Sequence, residues 1–194
     1  MELYLAKPSL EYKKQIMDFR QEFISNQEIA YGTQHLYNYT SLEEWLEQIR
    51  LNEKAETVES GRPPSYEFMA IRKEDEKIVG MINIRYNLTD EMLMFLGHIG
   101  YCVRKSELRK GYAAEMLRLA LLEATKIGLN RVLLTVDSAK TASIATMKKN
   151  GAVLENEVPY NNKITHIPNL STLTNLQNLN LSSLEGVEYL IYLN

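Results

Sequence analysis

VRKSELRKGYAAEML, residues 103–117, decides how this chain is read. Basic residues run into Gly111, and the glycine opens a strongly amphipathic helix. A helix start leaves N–H groups without internal partners, and the aligned peptide dipoles add partial positive charge there. A glycine lets a ligand come close to the backbone. Arg109 and Lys110 add full charges, so the stretch offers an anion site suited to a pyrophosphate. The plain alternative is a capped core helix with solvated surface cations. Two common phosphate signatures fail on spacing. There is no G-x-x-x-x-G-K-[ST], and Gly111-Tyr112-Ala113-Ala114 lacks the pattern G-x-G-x-x-G.

The flanking segments alternate between strand and helix. HIGYCVR (98–104) reads as the strand before the loop, and the helix from about 111 to 127 buries Met116, Leu117, Ala120, Leu121 and Ala124. Gly128 is a natural stop. RVLLTV (131–136) is a nearly all-apolar strand, as expected deep in a sheet. A helix over about 140–149 ends at Asn150-Gly151, and AVLENEV (152–158) is one more strand. Upstream, ELYLAK (2–7) alternates as a first strand. Pro8-Ser9 then opens a helix with Ile16, Phe19, Phe23 and Ile24 at helical spacing. Residues 28–40 read as a loop, and Ser41 with Glu44 as a capping box for a second helix through Trp45, Ile49 and Leu51. Gly61, Pro63 and Pro64 break the chain within 55–65. EFMAIRK (67–73) and KIVGMINIRYN (77–87) form a hairpin about Glu74-Asp75-Glu76. The order predicts a mixed α/β (α+β) domain around one central sheet flanked by helices.

The bulk properties narrow the function classes. With 194 residues the chain holds one full core and hardly two. The net charge of −3 and the lack of a Lys/Arg run argue against a protein built to grip nucleic acid. Cys102 is the one cysteine, so no internal disulfide forms, which suits a reducing cytoplasm. MELYLAKPSLEYKKQ is too charged for a signal peptide, and no window reaches the roughly 18–20 apolar residues of a membrane span. His35, His98 and His166 lie far apart without metal-ligand spacing, so no metal is expected.

After Lys163 the composition changes to Leu and Asn without Lys or Arg. Leu170, Leu173, Leu176, Leu179 and Leu181 resemble a leucine-rich-repeat fragment of little more than one unit. A lone unit cannot bury its own apolar face, so the tail is expected to pack on the sheet or extend from it. EYLIYL (188–193) or KITHI (163–167) would supply a last strand.

The quoted stretch, set in this order of elements, resembles the GNAT superfamily of N-acetyltransferases. Their signature is a strand ending in V-R, then [QR]-x-x-G-x-[GA] at the start of the main helix. Val103-Arg104 and Leu108-Arg109-Lys110-Gly111-Tyr112-Ala113 occupy those places, and RVLLTVDSAKTASIATMKKNGA (131–152) matches the later strand and helix. The resemblance covers residues 1–160 as a GNAT domain, leaving 161–194 as an atypical Leu/Asn-rich tail. It implies acetyl-CoA as co-substrate, without a metal. Tyr101, Cys102 and Val103 would offer main-chain groups to the pantetheine arm, and Arg104, which closes the strand, would be a further cofactor-binding residue. Arg109, Lys110, Gly111, Tyr112 and Ala113 would cradle the phosphates. The arm would lie between two diverging strands, 98–104 and 131–136. The implied reaction is acetyl transfer to a primary amine, on a small molecule or a peptide, by direct attack. A homodimer stays open, and so does a non-catalytic scaffold that holds CoA or a protein partner.

The chain departs from the family pattern in several places. Leu108 replaces the first Gln or Arg, and Lys140 stands where many members have Asn. Ala152-Val153 follow Gly151 where a Tyr acid is usual. The tail takes the place of the closing strand. His98 is the candidate base, against a hydrogen-bonded strand histidine. Tyr101 is a candidate acid or thioester-orienting group, against a packing residue. Cys102 reads as a buried apolar residue. Asp137 binds a substrate cation or caps the next helix. Tyr31, Tyr37 and Tyr39 line an acceptor site or cover the core.

Overall fold

Side-chain alternation sorts the strand residues onto two faces, and each face recruits its own helices. A computed structural model describes residues 2–159 and 187–193. The elements run β1 (Leu3–Ala6), α1 (Lys13–Ser25), α2 (Leu42–Leu51), β2 (Ser65–Arg72), β3 (Lys77–Arg85), α3 (Asp90–Phe95), β4 (Ile99–Val103), α4 (Tyr112–Lys126), β5 (Val132–Asp137), α5 (Thr141–Lys149), β6 (Val153–Pro159) and β7 (Val187–Leu193). The short helix α3 was not expected from the sequence. Its Thr89 cap accepts from the Met92 N–H at 3.3 Å. A 3-10 turn, Leu10–Tyr12, precedes α1, so that helix starts later than Pro8-Ser9 suggests. The capping box of α2 is half formed. Ser41 Oγ accepts from the Glu44 N–H at 3.1 Å, while the Glu44 carboxylate takes the Thr40 hydroxyl instead.

The expected single sheet is two ladders, β1-β2-β3-β4 and β5-β7-β6, with antiparallel neighbours throughout. They meet at one corner. The His98 N–H donates to Leu133 O at 2.7 Å, and the Leu133 N–H donates to His98 Nδ1 at 3.0 Å. An imidazole thus fills the place of the next main-chain acceptor, and the ladder stops there. Beyond this corner, among the described residues, β4 is in a ladder with β3 and β5 in a ladder with β7. β7 lies between β5 and β6, with Ile191 opposite both Leu134 and Leu154. KITHI and the leucines from 170 to 181 lie outside the described residues.

The α4 face of the first sheet buries Phe68, Ile82 and Ile84 against Met116, Leu117 and Ala120. The opposite face buries Met69, Ile71 and Met81 against Ile16, Phe19 and Trp45 of α1 and α2. Each fully buried large apolar side chain contributes roughly 1.5–3 kcal/mol. Trp45 Nε1 also donates to Thr33 O at 3.0 Å, which ties the 28–40 loop to α2. Among the described residues no helix is long and apolar enough to cross a membrane.

The same loop presses on β4. Gly32 has φ +68°, and a Cβ there would stand 2.1 Å from Gly100 O and 2.6 Å from the Tyr101 nitrogen. Gly32→Ala therefore combines a left-handed residue, about 1–2 kcal/mol, with a collision against main chain. A loss above about 2 kcal/mol is expected in denaturant unfolding. A loss under about 0.5 kcal/mol would mean that the loop simply lifts off β4.

Candidate functional site

The backbone between β4 and α4 turns twice through the left-handed region, at Arg109 (φ 61°) and Gly111 (φ 82°). Such turns gather successive N–H groups on one concave side. Gly111 caps α4 with no side chain of its own, and no atom lies within 4 Å of where a Cβ would stand. Among the described residues, no backbone N–H from Arg109 to Ala114 meets a protein acceptor, and the first bond of the helix is Glu115 N to Gly111 O. The surface over Arg109, Lys110 and Gly111 is exposed. These amides, at the positive end of a long helix, favour an anion.

Glu107 holds this loop in shape. It is buried, yet accepts from Arg72 Nη1 at 3.0 Å and from Lys77 Nζ and Lys110 Nζ at 2.9 Å each. Burial alone would raise its pKa, but the bonds from Lys77 and Lys110 outweigh it and hold the carboxyl at about 2. Arg72 also donates to the Tyr112 hydroxyl at 2.8 Å. Lys110, read from the sequence as a phosphate-facing cation, is thus bonded to Glu107 and Ser106 O. Arg109 has no side-chain partner among the described residues. Arg104 is turned the other way. Its guanidinium, 2 % exposed, meets Asp18 Oδ2 at 2.7 Å and Glu22 Oε2 at 3.1 Å, over the Phe19 ring. Its N–H is spent on Val79 O. Arg104 is therefore a strut between β4 and α1, whereas Arg109, Lys110, Gly111, Tyr112 and Ala113 share one loop.

Past the His98–Leu133 corner, among the described residues, no ladder pairing joins β4 to β5, and their facing edges belong to separate sheets. Arg104 faces β3 through its N–H, so alternation turns the main-chain groups of Tyr101 and Val103 to the unpaired edge of β4. Cys102 has its main chain in the β3 ladder and its side chain against the α1/α2 core, where burial pushes the thiol pKa well up. The Tyr101 side chain crosses toward α5, its Oη 2.9 Å from Ser143 Oγ. Burial raises its pKa, so the phenol stays protonated at neutral pH. His98 sits at the closed corner. Burial lowers its pKa, and its Nδ1 lone pair is engaged by Leu133. Asp137 Oδ1 accepts from the Ala139 N–H at 2.8 Å and so caps the turn into α5. Lys140 Nζ lies 4.7 Å from the Tyr31 ring centroid, joining the start of α5 to the 28–40 loop.

On the other face of β4 lies a cavity of about 560 Å³, walled by the 28–40 loop, the ends of β2 and β3, and α3. Tyr31 and Tyr37 line it, whereas Tyr39 packs on the α1/α2 core. Its floor is polar because the inward alternation of β2 and β3 changes from Met69, Ile71 and Met81 to Ser65, Asn83 and Arg85, with Glu67 on the same face but outside the cavity lining. The sequence reading passed over Glu67, Asn83 and Arg85. The available signal was polar residues at inward positions of two strands that are otherwise apolar. Glu67 is 2 % exposed and neither oxygen has a hydrogen bond. Burial raises its pKa well above the usual range, and the amides of Gln34 and Asn83 with the Arg85 charge offset this only in part. Arg85 Nη1 donates to Leu96 O and Gly97 O at 3.2 Å each, at the C-terminal end of α3. Burial brings its pKa down to about 10, so it remains a cation at neutral pH. Among the described residues no cluster of side chains is arranged to hold a metal ion.

Comparison with protein families matches the acetyltransferase (GNAT) domain over residues 3–153. A comparison with curated proteins finds no match. Among solved structures, the microcin C7 self-immunity acetyltransferase MccE, in complex with acetyl-CoA and AMP, is similar at 16% identity and a TM-score of 0.61, covering 98% of this chain and 91% of its own. The ribosomal-protein-S5-alanine acetyltransferase of Vibrio fischeri is 13% identical, with a TM-score of 0.60 and coverage of 99% and 92%. A spermidine N-acetyltransferase SpeG chimera, from Vibrio cholerae and hSSAT, is 13% identical with a TM-score of 0.58 and coverage of 99% and 95%. At these identities the structures share the fold with this chain.

The two buried carboxylates have opposite pH signatures. Glu107 has a depressed folded pKa, so its stabilisation is present above pH about 4.5 and is lost as pH falls toward about 2. Glu107→Gln should lower stability by roughly 3 kcal/mol at pH 7 and by far less near pH 2, measured by urea unfolding at both. Glu67 has a raised folded pKa, so the wild type loses up to about 1.4 kcal/mol per pH unit as pH rises above about 4.5. Glu67→Gln should therefore gain on the wild type between pH 5 and pH 8 in thermal unfolding. Parallel pH profiles would show that Glu67 is ionised in the fold.

Proposed function

We propose, from the fact that this chain belongs to the GNAT acetyltransferase family, that it carries an acetyl group from acetyl-CoA to a primary amine by direct attack. The observation that supports this most is the run of N–H groups from Arg109 to Ala114 without a protein acceptor among the described residues, in the loop and first turn of helix that follow β4. In this reading they hold the CoA diphosphate, with Arg109 adding charge. The pantetheine arm pairs with the free main-chain groups of Tyr101 and Val103. The thioester then rests beside β4, and the amine arrives from the cavity across the strand.

The chemistry asks little beyond placement. The ammonium gives a proton to water and its nitrogen attacks the thioester carbon. The oxyanion of the tetrahedral intermediate takes a hydrogen bond from a backbone N–H on the β4 edge. The C–S bond breaks, the departing thiolate takes a proton from Tyr101 Oη, and the second proton released by the new amide nitrogen restores the phenol, so that acetamide and CoA thiol are the neutral products. His98 serves by position. Its bond to Leu133 joins the two ladders at their corner, and that bond would have to open before Nδ1 could accept a proton. Cys102 takes no covalent part, because direct transfer needs no acyl-enzyme.

Isothermal titration with acetyl-CoA tests the cradle. The wild type should bind, and Gly111→Glu should weaken binding at least about a hundredfold by setting a carboxylate among the amides. A side chain at 111 meets no protein atom, so the variant should fold at a cost of about 1–2 kcal/mol for its left-handed backbone. Unchanged affinity in a folded variant would reject the cradle. Thiol release with added amines then reads the transfer itself.

A further inference from the structure

The cavity across β4 carries a charge pattern that says which amines fit. Arg85 and Arg62 line it, and among the described residues no Asp or Glu does. Arg62 is paired with Glu59 at 3.0 Å, near the mouth. Arg85 has no carboxylate within ion-pair distance among the described residues, and only its Nη1 is bonded, to two carbonyl oxygens. Glu67 neighbours Asn83 across the ladder from β2 but is not part of the wall, and its neutral form is favoured. The Arg85 guanidinium therefore lines the cavity without an ion-paired carboxylate among the described residues, and the buried Glu67 acts on it only from a longer distance.

Its position relative to β4 is close. Arg85 Nη2 stands 2.9 Å from where a Cβ of Gly100 would be, and the Gly32 backbone packs on the same residue. Gly100 leaves room for both. The guanidinium thus lies over the strand beside which the thioester rests. Ile29, Tyr31, Met92 and Leu96 make part of the wall apolar and aromatic, beside the polar Gln34, Asn52, Ser65 and Asn83. A guanidinium with free N–H groups in a partly apolar cavity is a fork for a carboxylate. A polyamine would meet like charge there and, among the described residues, no carboxylate on the wall.

We propose that this cavity is the acceptor site and takes a primary amine that also carries a carboxylate, with Arg85 holding the carboxylate so that the amine faces β4. The proposal rests on the transferase reading above. It adds a substrate class that the family assignment leaves open.

The test is thiol release from acetyl-CoA with matched acceptors: leucine against leucinamide, 4-aminobutanoate against 4-aminobutanamide, and spermidine. Acetyl-CoA affinity is titrated in parallel. At least one acid should exceed its amide by about tenfold or more in kcat/KM, because a site built to bond one group rejects the analogue lacking it. Spermidine should be poorer still. Arg85→Gln should bring acid and amide within about twofold of each other. It should leave acetyl-CoA affinity unchanged. If that variant does not fold, the wild-type comparison decides by itself. Amides or spermidine turned over as well as the acids would overturn the proposal. Acetyl-CoA binding with no turnover of either acid would overturn it too. Failure to bind acetyl-CoA at all is a distinct result that removes the transferase reading, and this proposal with it.

Discussion

One imidazole decides the shape of the molecule. His98 Nδ1 accepts the Leu133 N–H where a continuous sheet would place a carbonyl oxygen. β4 and β5 are thereby bonded at a corner, and beyond it, among the described residues, each is laddered to another strand. An unpaired strand edge inside a domain is costly unless something satisfies it. Here that edge runs on into the loop before α4. Filling the corner with an apolar side chain would leave the Leu133 N–H without a partner. The same histidine is held neutral by its burial, which keeps it an acceptor.

Charge is handled differently on the two faces of β4. Near the loop, Arg72, Lys77 and Lys110 converge on Glu107, so most of the local cations are spent in holding the backbone. What remains for a ligand is Arg109 and the amides themselves. Fixed dipoles suit an extended diphosphate, since they need no reorganisation when it arrives. On the opposite face Arg85 is anchored by carbonyls at the end of α3, a placement that leaves its charge intact. The carboxylate nearest to it favours the neutral form. One face thus presents dipoles with little free charge, and the other a single charge in a partly apolar cavity.

Much of the fold was legible because it rests on local pattern. The α4 stretch has apolar residues at helical spacing, and the glycine that marks its start takes the left-handed conformation that favours glycine. The β2/β3 hairpin was visible as two β-prone runs about a turn. The split sheet was not legible, because it hangs on which partner the Leu133 N–H finds at long range. Nor was α3, which is short and lies where no periodicity can build up. The site shows the same division. The run from Arg109 to Ala113 could be placed from sequence, since it is contiguous. Arg104 sits beside it in the chain but points into α1, a direction set by Asp18 and Glu22 far upstream. Glu67 and Arg85 required the pairing of β2 with β3 before their shared inward face was apparent.

The 28–40 loop is where the two faces of β4 become one device. Trp45 pins it at Thr33, and Gly32 lies on the Gly100–Tyr101 peptide at a distance no side chain permits. Tyr31 reaches across to Lys140 at the start of α5. The loop therefore touches the strand that would carry the thioester, walls the cavity that would admit the amine, and contacts the helix after β5. Its placement depends on that backbone approach, on the buried indole, on Arg20, which donates to the Leu36, Tyr37 and Tyr39 carbonyls, and on Asn52, which donates to Gln34 Oε1. In the proposed reaction the distance from amine to thioester carbon is set by that backbone contact. Reactivity gained by holding two groups in line falls steeply with misplacement of about 1 Å. A residue with no side chain, Gly32, is then as important to the geometry of transfer as any group that touches the substrates.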